Sequence, residues 1–412
     1  MLSKGLPLRQ RLWLFLAVMG PGIITANVDN DAGGITTYSV AGAHYGLSLL
    51  WTLVPITLAL IVVQEMSARM GVVTGKGLSD LIREQFGVKV TFYVMIALVL
   101  TNIGNAIAEF AGVAASMELF GVSRYISVPV AGALVWRLVV KGTYASVEKI
   151  FLWACLFYIS YILSGFLVHP DWAVPLRQLF TPSFQFDRNY LFMLVGMVGT
   201  TIAPWMQFYQ QAAIAEKGIS IERYPYSRLD VIIGCVVVDV VAFFIIVTCA
   251  ATLFANGVRI ETASQAAQAL SPLAGQYCAY LFAFGLLNAS LFAASILPLS
   301  TAYAVCEGMG WETGVNKKFF DAPQFYGLYT AIILIGMGVI LLPGIPLIRI
   351  MLISQVLNGM LLPFVLVAML RLTNNRKLMG TYVNGPLFNI AAWLTVFIMI
   401  ALSVLLVVSE FL

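Results

Sequence analysis

The sequence predicts an all-α polytopic membrane protein of eleven spans, built as two five-helix halves of inverted orientation plus one final helix. Three observations predict it. The 412-residue chain is 60% hydrophobic and only 10% charged, with a mean hydropathy of +0.92, whereas soluble domains carry roughly 25% charged residues. Its apolar stretches divide into eleven segments of the length, about 20 residues, that a bilayer core demands. Two of these segments, the first and the sixth, are broken in mid-span by polar residues, glycine and proline, five spans apart. Breaks at matching positions of two halves point to inverted repeats around a midplane site.

The spans run at 11–44, 47–69, 89–120, 123–140, 147–168, 189–215, 228–255, 276–309, 324–342, 348–370 and 386–411. Breakers separate them: "HPDWAVPLRQLFTPSFQFDRN" follows span five, "EKGISIERYPYSR" follows span six and "LTNNRKLMGTYVNGP" precedes span eleven. The whole chain, 1–412, reads as one transmembrane domain, with a first repeat over 11–168, a second over 189–370 and the extra helix at 386–411. No cleavable signal peptide is expected, because the first apolar run continues through its polar break without a small-residue cleavage pattern.

Charge supports this count. With the N-terminus in the cytoplasm, 18 of the 23 Lys and Arg fall on the cytoplasmic side, and only Arg124, Arg177, Arg188, Arg259 and Arg349 fall outside. That is the positive-inside pattern, and one missed span would spoil it. The N-terminus is expected inside and the C-terminus outside.

Span one contains "NVDNDAGG" and span six "GMVGTTIAPWMQFYQQ". Proline removes a backbone donor and glycine weakens helix. Unwound backbone at membrane depth is tolerated only where it is buried in protein or lines a cavity. The alternative of two ordinary kinks does not explain the acids at the first break. Asp31, charged at mid-depth, reads as functional by default, the alternative being a neutral cap of the second half-helix. The half-helix ends free backbone carbonyls near Val28 and Thr200. Asp29 and Asn30 either cap backbone or face an aqueous vestibule. Gln207, Gln210 and Gln211 either line a pathway or pack. Cys155, Cys235, Cys249, Cys278 and Cys306 lie in apolar runs without metal-type spacing and read as small core residues. His44 and His169 are too far apart to signal a metal site.

With these residues in view, the chain resembles the NRAMP divalent-metal transporter family, and more closely its NRAMP-related magnesium transporter branch. The resemblance is carried by "GPGIITANVDNDAGGITTYSVAGAHYGLSLLW", "ARMGVVTGKGLSDLIREQFG", "NAIAEF" and "ISQVLNGMLLPFVLVAML". It implies a LeuT-type fold, in which helices one to five and six to ten are inverted repeats. It implies a metal site at the two breaks and places Gln355 of span ten there, as an amide ligand or as the holder of a ligand water.

The departures from the family pattern are informative. The first-helix motif Asp-Pro-Gly-Asn stands here as Asp31-Ala32-Gly33-Gly34, so the asparagine ligand becomes Gly34. The sixth-helix motif Met-Pro-His stands as Ala203-Pro204-Trp205, which removes a thioether ligand and a histidine linked to proton movement. The helix-three motif Asp-Leu-Ala-Glu stands as Ala106-Ile107-Ala108-Glu109, keeping one acid of two. A thioether favours softer metals, whereas carboxylate, carbonyl and water suit Mg²⁺, Ca²⁺ and Mn²⁺. Mg²⁺ keeps several waters and binds through one or two carboxylates. Both substitutions at the site empty volume beside Asp31.

The expectation is therefore a non-enzymatic importer of divalent metal ions, Mg²⁺ first and Mn²⁺ second, working by alternating access, driven by the electrochemical gradient without proton coupling, in a prokaryotic plasma membrane. The ligand set is Asp31, Gly34, Val28, Thr200, Ala203 and Gln355. Glu109, Trp205, Gln207 and Asp29 are pathway or proton-related positions, with Glu109 equally readable as the partner of a polar neighbour and Trp205 as a packing plug. No resident cofactor, nucleic acid or obligate protein partner is implied; the substrate ion and the lipid bilayer are the partners. The rivals are a proton-coupled transition-metal transporter, a sodium-coupled organic-solute carrier in which Asp31 would repel a substrate carboxylate, an intramembrane aspartyl protease and a channel.

Overall fold

The computed structural model describes residues 8–185, 187–261, 263–343 and 347–409. Among them every regular element is helical, and each of the eleven apolar stretches has a helical counterpart. Span two is Leu53–Thr74, span three Val88–Leu119, span four Arg124–Lys141 and span five the consecutive helices Tyr144–Phe157 and Ile159–Leu167. Span seven is Tyr224–Cys249, continued by a π turn, Ala250–Phe254; span eight is Gln276–Met309, span nine Pro323–Leu341, span ten Leu347–Thr373 and span eleven Pro386–Ser409.

By length and composition, seven of the described helices could cross a membrane, and a bent pair at the end of span ten makes eight. Physical reasons separate the other three stretches. Span one is divided. Span four is 18 residues long and carries Arg124, Arg137 and Lys141. Span eleven has its described apolar part in Pro386–Leu402.

Span six breaks as expected. Arg188–Thr201 ends, Ile202 (φ −124°, ψ 70°) and Ala203 (φ −81°, ψ 142°) leave helical geometry, and Pro204–Lys217 begins with proline at its first position. There the missing N–H costs nothing. Span one breaks twice, which the sequence reading did not anticipate. Besides the gap at Val28–Asp31, the chain turns at Gly20 (φ 152°), so Leu8–Val18, Pro21–Asn27 and Ala32–Tyr45 are separate helices.

The first turn is held from a distance. Asp230 on span seven accepts the N–H groups of Gly20 (3.2 Å) and Gly22 (2.7 Å). Lys217 donates to Met19 O at 2.9 Å and pairs with Glu148 at 2.8 Å. A Cβ on Gly22 would lie 2.6 Å from Val231 N, so glycine is what lets the two backbones approach.

The broken spans sit at the centre. Pro21–Asn27 packs on Pro204–Lys217, Ala32–Tyr45 packs on Arg188–Thr201, and both halves of span one lie against span seven. The first half of span one thus meets the second half of span six, and the second half of span one meets the first half of span six. Over span six 89% of the apolar window is buried, against 33% in span five, whose Trp153 and Leu156 point outward. The interrupted helices are therefore screened by the continuous ones. All five cysteines are free thiols, and four are buried.

Candidate metal-transport site

The second half of span one opens on two carboxylates. Asp31 is its N-cap, with Oδ1 accepting Gly34 N at 2.6 Å. Glu109 of span three reaches in from the other side, and its Oε2 accepts Ala32 N at 3.1 Å. A helix N-terminus presents unpaired N–H groups and partial positive charge, which carboxylates satisfy. Glu109 also lies against the Asp31 carboxyl.

Asn30 is a brace between spans. Its Nδ2 donates to Val238 O at 2.9 Å, and its carbonyl accepts the Tyr158 hydroxyl at 3.1 Å. Tyr38 ties the broken spans together through a 2.5 Å contact with Thr201 Oγ1, which itself donates to Met197 O at 2.7 Å.

Gly34 is the informative position. A Cβ built there would lie 2.5 Å from Asp29 O, 3.4 Å from Asp31 Oδ1 and 3.4 Å from Thr200 Oγ1. Three oxygens of different chemistry (carbonyl, carboxylate and hydroxyl) thus converge on one small space between the broken spans. Thr200 Oγ1 is buried and has no hydrogen-bond partner. The sequence reading named the carbonyls near Val28 and Thr200; the oxygens that meet at Gly34 are the Asp29 carbonyl and the Thr200 hydroxyl. The sequence reading also took glycine to leave open volume. The Asp29 carbonyl occupies much of it, because the unwound turn swings that oxygen inward.

The remaining positions sort as follows. Ala203 is buried at the start of the second half of span six and offers a methyl group. Trp205 is 1% exposed, its carbonyl receiving the Ser300 hydroxyl at 3.0 Å, so it packs as a plug. The Gln207 amide nitrogen donates to Ala203 O at 2.7 Å and Pro204 O at 2.9 Å, folding back over the first turn of its own helix. Gln211 Nε2 donates to Lys76 O at 2.9 Å. The Gln355 side chain lies outside the described residues. Asp29 is buried with both carboxylate oxygens unpartnered, and it feels the charge of Asp31 first and that of Asp239 on span seven second.

Sequence reasoning missed Asp230 and Gln64, and weighed Asp239 only as a second mid-span acid for the protease alternative. Asp230 was hidden because its partners are more than 200 residues away. Asp239 and Gln64 carried a usable signal, a mid-span polar side chain in an apolar helix; both are buried, and their side-chain oxygens have no hydrogen-bond partner. Among the described residues no three His, Cys, Asp or Glu side chains form a metal cage. A metal here would be held by one carboxylate with neutral oxygens and water.

The profile of the family described as "Natural resistance-associated macrophage protein-like" (Nramp) matches residues 22–409. The chain belongs to the Nramp family. Among curated relatives, the divalent metal cation transporter MntH of Bacillus subtilis (strain 168) is 27% identical over 409 residues, covering 96% of this chain and 93% of the relative. MntH of Klebsiella pneumoniae (strain 342) is 29% identical over 406 residues, covering 96% and 95%. Among solved structures, the Eremococcus coleocola manganese transporter, in complex with an aromatic bis-isothiourea compound, superposes with a TM-score of 0.82 at 22% identity, over 99% of this chain and 89% of that one. MhsT in complex with L-phenylalanine superposes with a TM-score of 0.60 at 14% identity, over 97% of each chain. The fold of this Nramp member is thus the LeuT-type arrangement, and the chain is an integral membrane protein whose relatives are transporters, not enzymes.

Proposed function

We propose that this Nramp protein imports divalent metal ions, Mg²⁺ foremost and Mn²⁺ by the same path, by alternating access and without moving protons. The observation that carries the reading is the set of oxygens around Gly34. Asp31, the Asp29 carbonyl and Thr200 are hard donors, and Ala203 supplies no sulfur. Such a set favours hard cations. Mg²⁺ dehydrates reluctantly and keeps several waters, so a site with one carboxylate, two neutral oxygens and retained water suits it. Gln355 and the Val28 carbonyl complete the proposed ligand set.

The uncoupled reading rests on what faces the breaks. Trp205 cannot titrate and is packed as a plug, Ala106 has no acid, and Glu109 is engaged with Ala32 N. A dication crossing 100 mV gains about 4.6 kcal/mol. At tenfold per 1.4 kcal/mol this sustains a gradient on the order of 10³, enough for an abundant ion. The basic residues support an N-terminus in the cytoplasm and a C-terminus outside, in a prokaryotic plasma membrane. The sodium-coupled solute carrier shares the fold, but an anionic Asp31 at the break disfavours a substrate carboxylate.

Uptake of Mg²⁺, Mn²⁺ and Ca²⁺ into proteoliposomes at a set potential tests the reading. Mg²⁺ is expected to enter, to compete with Mn²⁺ and to fail in Asp31→Ala. Mn²⁺ uptake with no Mg²⁺ uptake at millimolar concentration would overturn the magnesium assignment.

A further inference from the structure

We infer that the protein holds a second divalent-cation site beside the transport site, between the break of span one and the middle of span seven, formed by Asp29, Asp239 and Asn30. The three side chains are 1%, 6% and 0% exposed. All four carboxylate oxygens and Asn30 Oδ1 lack a hydrogen-bond partner. The Asn30 amide nitrogen donates to Val238 O at 2.9 Å, which sets the residue 29–30 turn against the residue 238–239 turn of span seven. Asp29 feels the charges of Asp31 and Asp239, and both are acidic. The Thr57 hydroxyl lies beside the Asp239 carboxyl and donates to Leu53 O at 2.7 Å.

Two unpartnered acids at this depth need an explanation. A charge at membrane depth is expensive and marks an ion pathway or a partner. Removing a charge from water costs several kcal/mol even after relaxation. Protonating both acids would repair the arrangement only in part, because two O–H groups satisfy at most two of the three acceptor oxygens that remain. A cation does repair it, by giving all five oxygens one ligand. Oxygen-only donors select a hard ion. Two carboxylates match a charge of +2, whereas a monovalent ion would leave net negative charge in the membrane.

This site is separate from the one at Gly34, although one residue bridges them. Asp29 brings its carbonyl oxygen to the Gly34 space while its carboxylate oxygens make no hydrogen bond and feel the charge of Asp239, whereas the Asp31 carboxylate is engaged by Gly34 N and Glu109. The inference does not depend on which dication the Asp31 site carries, and its test reads binding rather than transport.

The test is equilibrium binding of Mn²⁺ to the purified full chain in detergent, read by the loss of the free-ion electron paramagnetic resonance signal and challenged with Mg²⁺ or Na⁺. The parent is expected to bind two Mn²⁺ per chain, Asp31→Ala one, Asp239→Asn one, and the double variant none. Mg²⁺ is expected to displace the ion that remains in Asp31→Ala. Asp29→Asn supplies the same loss through a different helix should Asp239→Asn not elute as a monodisperse protein. Three results would overturn the inference: Asp31→Ala abolishing all saturable binding, Asp239→Asn and Asp29→Asn binding as much as the parent, or the remaining ion yielding to Na⁺ but not to Mg²⁺.

Discussion

Gly34 faces the carbonyl oxygen of Asp29 so closely that a Cβ on residue 34 would stand 2.5 Å from it. The unwound turn of span one and the absence of a side chain at residue 34 are therefore one structural fact. Gly34→Ala forces the Asp29 carbonyl back and disperses the three oxygens. The expected result is a folded protein, less stable by about 1–3 kcal/mol as overpacking costs, whose uptake falls for Mg²⁺ and Mn²⁺ alike. Uptake equal to the parent would show that this convergence of oxygens is not used.

Ala203→Met separates size from softness better than a change at residue 34, because it adds a thioether where the structure has a methyl group. Competition uptake is expected to shift toward softer ions such as Cd²⁺ and Mn²⁺ over Mg²⁺. Unchanged ranking among the three ions would place the selectivity elsewhere.

Glu109 accepts the Ala32 N–H across a wide loop of chain, and this makes its conservative variant informative. In Glu109→Gln the amide oxygen still accepts that N–H, so stability and metal uptake should stay near the parent. Glu109→Ala leaves a buried donor unpaired and should cost about 1–3 kcal/mol. Thermal unfolding of the two variants in detergent distinguishes them; equal losses would remove the capping role.

Asp230 pins the first turn of span one through Gly20 and Gly22. Asp230→Ala removes two charge-assisted bonds from the seven-residue helix Pro21–Asn27. A loss of roughly 1.5–3 kcal/mol is expected, along with faster proteolysis near the N-terminus. A variant as stable as the parent and cut no faster would mean the anchor lies elsewhere, in Lys217 and Glu148.

The span limits were legible because apolar runs of bilayer length leave little freedom, and most helix ends fall within a few residues of the hydropathy edges. The break at span six was legible from Pro204. The turn at Gly20 was not, because its partners Asp230, Lys217 and Glu148 come from distant chain and no local periodicity reports them. At the site, Asp31 could be read from its charge at mid-depth. The difference between Asp29 and Asp31 could not. They are two residues apart, and only the geometry of the unwound turn lets one carboxylate cap Gly34 N beside Glu109 and leaves the other without a partner. For Glu109, composition offered an acid, while its task depended on which N–H it met.

The central claim is that a dication passes the Asp31 break without a proton. It is tested most directly by a pH dye sealed inside proteoliposomes during Mg²⁺ or Mn²⁺ uptake at a fixed potential, with an ionophore control for leak. The account predicts metal entry that follows the potential while the internal pH stays level, in the parent and in Glu109→Gln. Internal acidification that scales with metal flux and vanishes in Glu109→Gln would contradict it and make Glu109 a proton carrier.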